Sequence, residues 1–292
     1  MQRHFVTLLV AGCLLAWHAT SVLADIDSDG PAFSHQFYAT SSPQQNDVDS
    51  VDDDPPKRTA ITSGSMQFNE PGSSYSSCMK AAKHGDLQSQ FNLGYMHYNG
   101  FGVPVDKNRA ATWFKKAAVR GHLEAQKVLG FMYYRGDGVP QNYAEAVVWF
   151  RMSAENGDPQ SQFSLGSIYF NGWGVEVNRE EAARWCRKAA EQGEPQAQFI
   201  LGSMYARGEG VSIDYAEAAR WLTRSAEQGN PQGQMSLGLL YYNGWGVGQD
   251  RQEALKWFLL ASEQGDEQAE KILDSMIKHR EIIKAVDTVA VK

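Results

Sequence analysis

The chain has 292 residues, 42% of them hydrophobic, and a formal net charge of −7. That is ample apolar material for a core, while the absence of any basic stripe with interleaved aromatics sets nucleic acid aside as a partner. No stretch beyond the first 24 residues is apolar enough to span a bilayer, so the mature chain is expected to carry no membrane span.

Residues 1–24 place Arg3 and His4 before an apolar run from Phe5 to Trp17, with Val22-Leu23-Ala24 offering a cleavage site before Asp25. This reads as a secretory signal peptide and implies a periplasmic or extracellular destination. Val10-Ala11-Gly12-Cys13 also resembles a lipobox, which would leave Cys13 lipidated, and an uncleaved anchor over Phe5–Ala24 is a third reading. Residues 25–72 follow no apolar period and are rich in Ser, Asp, Pro and Gln. Nine acids between Asp25 and Glu70, against Lys57 and Arg58, hold the chain's charge excess, and the segment is expected to be a disordered acidic leader.

From residue 73 a strict period of 36 begins. Trp113, Trp149, Trp185, Trp221 and Trp257 keep it without a gap, as do Leu93-Gly94, Leu129-Gly130, Leu165-Gly166, Leu201-Gly202 and Leu237-Gly238. Such a period means stacked helical hairpins, each needing its neighbours to bury an apolar face, so an all-α solenoid is expected. The units run 86–121, 122–157, 158–193, 194–229 and 230–265. A truncated leading unit, 73–85, supplies only a second helix, and 266–292 forms a capping helix and tail.

Within a unit, Asp158-Pro159, Glu194-Pro195 and Asn230-Pro231 look like N-caps followed by proline at the first helical position. The first helix carries Leu165, Ile168 and Tyr169 on helical spacing and ends near Gly172. After a loop, Asn178 with Glu181 suggests a capping box, repeated as Asn142 with Glu145, Asp214 with Glu217 and Asp250 with Glu253. The second helix presents Ala182, Trp185, Cys186, Ala189 and Ala190 and stops at Gly193. Gly166 and its equivalents lie inside the first helix, where glycine costs ~1 kcal/mol relative to alanine. The expected reason is close approach of the second helix, with its tryptophan against the bare backbone. Cys78 and Cys186 are 108 residues apart in one register. At ~8–10 Å per stacked helix they are too distant for the ~7 Å limit of a disulfide, which predicts two buried free thiols.

The strings Gln-Xaa-Xaa-Leu-Gly-Xaa-Xaa-Tyr, Gly-Xaa-Gly-Val, Asp/Asn, Ala-Xaa-Xaa-Trp and a closing Ala-Ala or Ala-Ser before Gly resemble the Sel1-like repeat family. The resemblance implies a right-handed α/α superhelical solenoid, related to tetratricopeptide arrays, that serves as an adaptor or scaffold. Exported bacterial members are linked to host interaction, with some associated with virulence, and to envelope assembly.

In tetratricopeptide-like stacking the first helix lines the concave groove. One stripe on it varies from unit to unit: Asn92, Tyr95, Asn99; Val128, Phe131, Arg135; Ser164, Ser167, Asn171; Ile200, Ser203, Arg207; Ser236, Leu239, Asn243. Spacing of i, i+3 and i+7 puts each triplet on one face, expected to contact a partner, the alternative being an inter-repeat packing face. The loops add Phe101, Trp173 and Trp245 in odd units against Asp137 and Glu209 in even ones. Lys107, Arg179 and Arg251 alternate with Tyr143 and Tyr215 at the start of the second helix. These aromatics are expected either to form a sticky edge for a protein or glycan such as peptidoglycan, or to fold back on the adjacent loop.

Other chemistry is weak. Gly100-Phe101-Gly102 and its equivalents lack the third glycine and the strand of a nucleotide loop. Asp25-Ile26-Asp27-Ser28-Asp29-Gly30 begins like a calcium loop but has Gln36 at the twelfth position. His84, His97 and His122 face different directions, so no metal site is expected, nor any cofactor. No nucleophile with base and orienter stands out. The expectation is an exported, non-enzymatic scaffold for a protein partner. The alternative is a weak β-lactam-binding or β-lactam-hydrolysing protein, as implied by cysteine-rich relatives, although those pair two cysteines within each unit.

Overall fold

The structure is a computed structural model, and it describes residues 71–276. The signal, lipobox and most of the leader assigned above lie outside the described residues, as does the tail beyond 276. Every described element is helical: α1 (Pro71–Lys83), α2 (Leu87–Asn99), α3 (Lys107–Ala118), α4 (Leu123–Arg135), α5 (Tyr143–Glu155), α6 (Pro159–Asn171), α7 (Arg179–Glu191), α8 (Pro195–Arg207), α9 (Tyr215–Glu227), α10 (Pro231–Asn243) and α11 (Arg251–Ser262). Residues 267–276 are helical again.

Local chemistry sets these boundaries. Asp86, Asp158 and Asn230 cap the first helices by accepting from the backbone N–H three residues on, and His122 does the same for Ala125 through Nδ1. Glu194 does not: it makes no side-chain cap bond, and burial pushes its carboxyl above the usual range. Each first helix ends on a glycine in the left-handed region, Gly172 at φ 76° for α6, donating back to Ile168. Among the second helices, Asn178 accepts from Glu181 N–H, but the expected return bond of a capping box is replaced. The N–H of each of these N-caps already donates to the preceding helix, Asn178 to Tyr169 and Asp214 to Tyr205. The glutamates therefore pair forward, Glu181 with Arg184 and Glu217 with Arg220, both at 2.9 Å.

The hairpins α2/α3, α4/α5, α6/α7, α8/α9 and α10/α11 stack in sequence, each second helix lying on the next first helix. The core is correspondingly a string of small clusters rather than one mass. Phe91, Ala110, Phe114, Leu129 and Trp149 form one, drawn from α2, α3, α4 and α5. Trp185 packs with Val147 and Phe150 of the unit before it, and Trp221 with Cys186 and Ala190. The tryptophans are thus seams between units. The bare helix glycines face the next residue instead: a Cβ on Gly94 would stand 2.6 Å from the Phe114 ring, on Gly130 2.7 Å from Phe150, and on Gly166 2.4 Å from Cys186 Sγ. That corrects the expectation of tryptophan against the glycine, and explains the glycine by the approach of a different side chain.

Cys78 and Cys186 are free and buried, and burial pushes the Cys186 thiol up to about 12. The glutamine that opens the Gln-Xaa-Xaa-Leu-Gly string supplies a second set of buried groups, whose role the spacing did not reveal. Gln90, Gln126, Gln162, Gln198 and Gln234 are all buried, and each Nε2 donates to a carbonyl in the last turn of the preceding second helix, Ala82, Ala118, Ala154, Ala190 and Ala226. Each of those carbonyls also accepts a turn bond from the glycine three residues on, so one glutamine per unit supplies a second donor to a helix end from inside the core.

Candidate interaction surface

First helices of consecutive units approach each other directly at α8 and α10. The stripe is not uniform along the stack. Tyr95 and Asn99 are exposed, with Tyr95 39% accessible, and Arg135 and Asn171 are exposed as well. Asn92, Val128, Phe131, Ser164, Ser167, Ile200 and Asn243 are half-buried. Ser203 and Ser236 are each 1% accessible and Leu239 8%, so these three offer no surface in this structure. For Leu239 the cause is local: it packs among Ala254, Leu255 and Phe258 of α11 and Ala269 and Met276 beyond it.

Arg207, also on the stripe, is largely enclosed. Its side chain is 12% exposed and its Nη1 lies 3.9 Å from Glu209 Oε2. The asparagines at the same register, Asn99, Asn171 and Asn243, donate back to the carbonyls of Tyr95, Ser167 and Leu239. At the N-terminal end the rings form a run. Phe101 lies 5.7 Å from Tyr95, Tyr95 6.4 Å from Phe91, and Phe91 4.6 Å from the His122 imidazole, near parallel at 12°. Arg135 sits 5.5 Å over the Phe131 ring.

Of the loop residues, Phe101 is 48% accessible, whereas Trp173 and Trp245 are half-buried. Trp173 stacks on Tyr143 at 6.1 Å and 22°, and Trp245 on Tyr215 at 5.5 Å and 27°. Both therefore fold back onto the preceding unit, the second of the two arrangements the sequence allowed. The even-unit acids lie at the same junction: Asp137 pairs with Lys107 at 2.7 Å and accepts from Tyr98 Oη at 2.5 Å. Burial first, then that bond to Asp137, pushes the Tyr98 phenol up to about 12.

The histidines have separate uses. His97 is buried, edge-on to Tyr75, and His122 caps α4; burial lowers the pKa of both. Among the described residues no helix is long and apolar enough to cross a membrane.

Comparison with known proteins accords with this architecture. Among solved structures, c5321, a protective antigen present in uropathogenic Escherichia coli strains and displaying an SLR fold, superposes with a TM-score of 0.65 at 40% identity. The match covers 68% of this chain and 43% of that one, so the chain spans less than half of the antigen's length. A Sel1 repeat protein from Oxalobacter formigenes gives a TM-score of 0.60 at 29% identity, covering 68% of this chain and 86% of that one. No curated protein matches the sequence. Five consecutive segments, 87–122, 123–158, 159–194, 195–230 and 231–266, match the Sel1 repeat. With that unbroken match over five helical hairpins, the chain belongs to the Sel1 repeat family, whose members are generally scaffolds for protein–protein interaction.

Proposed function

We propose that the chain is an exported, non-enzymatic scaffold that holds a protein partner against the first-helix face of its N-terminal units. The observation that carries this reading is the exposed ring pair Tyr95 and Phe101, flanked by Asn92 and Asn99, at the end of the stack where the stripe stays accessible. Rigid exposed rings supply contact area at low entropic cost, and the unit-to-unit variation of the stripe on a constant frame is what a partner-specific surface requires. Export rests on the apolar start of the chain, and the envelope or the cell exterior is the setting it implies. A glycan such as peptidoglycan would use the same rings and amides.

A photoreactive phenylalanine analogue placed at position 95, compared with one at Val148 on the outer side of α5, tests this in native envelope preparations. Adducts at 95 that are absent at 148 and digestible by protease support the reading. Equal labelling at both sites, or adducts released only by glycan hydrolysis, would overturn it.

A further inference from the structure

The stack repeats in blocks of two units rather than one, and the repeated chemistry lies in its junctions. Each junction gathers three positions: one from the first helix of a unit, one at the start of its second helix, and one from the loop of the next unit. The glycine after that loop residue sits directly on the second helix of the unit before. A Cβ on Gly138 would stand 2.6 Å from the Lys107 carbonyl oxygen, on Gly174 2.7 Å from Ala144 N, on Gly210 2.0 Å from the Arg179 carbonyl oxygen and on Gly246 2.0 Å from that of Tyr215. All four have positive φ, near 70°. No side chain fits there, so the loop is held at van der Waals distance and its preceding residue must face the helix start.

What faces it alternates. The first junction is ionic: Lys107 lies 5.1 Å over the Tyr98 ring and pairs with Asp137. The second is aromatic: Tyr134, Tyr143 and Trp173 meet at 5.4 to 6.1 Å. At the third, Arg179 lies 3.6 Å over Phe170 and Gly210 packs on its carbonyl, while the loop's Glu209 lies 3.9 Å from Arg207 of its own unit. The fourth is Trp245 on Tyr215. The first and third junctions therefore set a cation over a ring beside a loop that carries an acid, and ring meets ring at the second and fourth.

We infer that this alternation is a register code: an odd unit accepts only an even unit after it, and the building block of the solenoid is a 72-residue pair. A unit moved by one place would set a carboxylate against a tyrosine ring, or an indole where a cation holds its counter-charge. A unit moved by two places would meet the chemistry it left. Neighbouring hairpins of equal length with the same core registers are otherwise free to stack out of order, so such a code selects one order among several.

Deleting residues 158–193 tests it, because the deletion sets the Tyr143 start against the Glu209 loop. In that shortened chain Arg207→Asn with Glu209→Trp rebuilds the aromatic junction and is expected to raise the melting midpoint by about 2–4 °C. The same pair of substitutions in the full chain sets an indole against Arg179 and is expected to lower the midpoint by a similar amount. A change of the same sign in both chains would refute the code. Should the shortened chain not fold, the full chain carries a second test. Lys107→Tyr and Asp137→Trp each lower the midpoint, while the two together are expected to lose less than the sum of the singles. Losses that simply add, or exceed the sum, would refute it equally.

Discussion

The two ends of the stack use the same glutamine differently. In the C-terminal half, Gln162, Gln198 and Gln234 each accept a second hydrogen bond at Oε1, from Gln192 at 2.7 Å, Gln228 at 2.7 Å and Gln264 at 2.8 Å. In the N-terminal half those donors are replaced. Asn156 is one methylene too short and donates to the Met152 carbonyl, and Arg120 donates to the Gly85 carbonyl. Gln126 Oε1 and Gln90 Oε1 are left buried and without a partner. The stripe follows the same gradient, accessible at Tyr95 and closed at Ser236. The lesson is that the C-terminal units satisfy this glutamine on both sides, whereas the N-terminal units leave its oxygen unserved and carry the exposed rings.

The comparison breaks most readily at the tryptophan seams. Trp185 is buried against Val147 and Phe150, while Trp113 is half-exposed beneath Lys116. Trp185→Ala is expected to cost ~3–5 kcal/mol through the void it leaves. Trp113→Ala should cost clearly less, and denaturant titration of the two variants would show the order; equal losses would remove the contrast between ends.

The glutamine gradient can be sharpened in the opposite direction. Asn156→Gln restores the missing donor for Gln126 Oε1 and is expected to stabilise the chain by about 0.5–1.5 kcal/mol. The same substitution at a position whose acceptor is already served would gain nothing, so a midpoint that fails to rise would show that Gln126 is satisfied by other means.

The smallest expected effect is a pH dependence confined to the N-terminal units. Burial lowers the pKa of His97 and His122 below the ordinary 6.5, so the unfolded chain takes up protons first as pH falls. Stability is then expected to be level above about pH 7 and to decline as pH drops through 6.5 toward the folded values. His97→Tyr, the residue at this register in every later unit, should flatten part of that decline in melts between pH 7.5 and 5.5. An unchanged slope would locate the titration elsewhere.

Much of the fold was legible because its determinants are local. Asp158-Pro159 announces the start of α6, and Gly172 its end, within a few residues of the chain. The glutamine pairs, Gln162 with Gln192, join the two ends of one unit, and the junction contacts, Lys107 with Asp137, cross a unit boundary; both span 30 residues, so no local pattern displays them. The doubled period of the loops was visible as letters, but its meaning depended on which unit each loop touches. Periodicity put each triplet of the stripe on one helix face, but the burial of Ser203 and Ser236 is set by packing between helices, a quantity that spacing does not encode.

The thiol of Cys186 stands where other units carry Phe114, Phe150, Leu222 or Phe258, fully enclosed beside Gly166 at the middle of the stack. Its enclosure turns it into an internal clock. A thiol-specific reagent can reach it only when α6 and α7 part, so its rate of modification times the breathing of the central hairpin, with Cys78 at the edge as the faster reference hand.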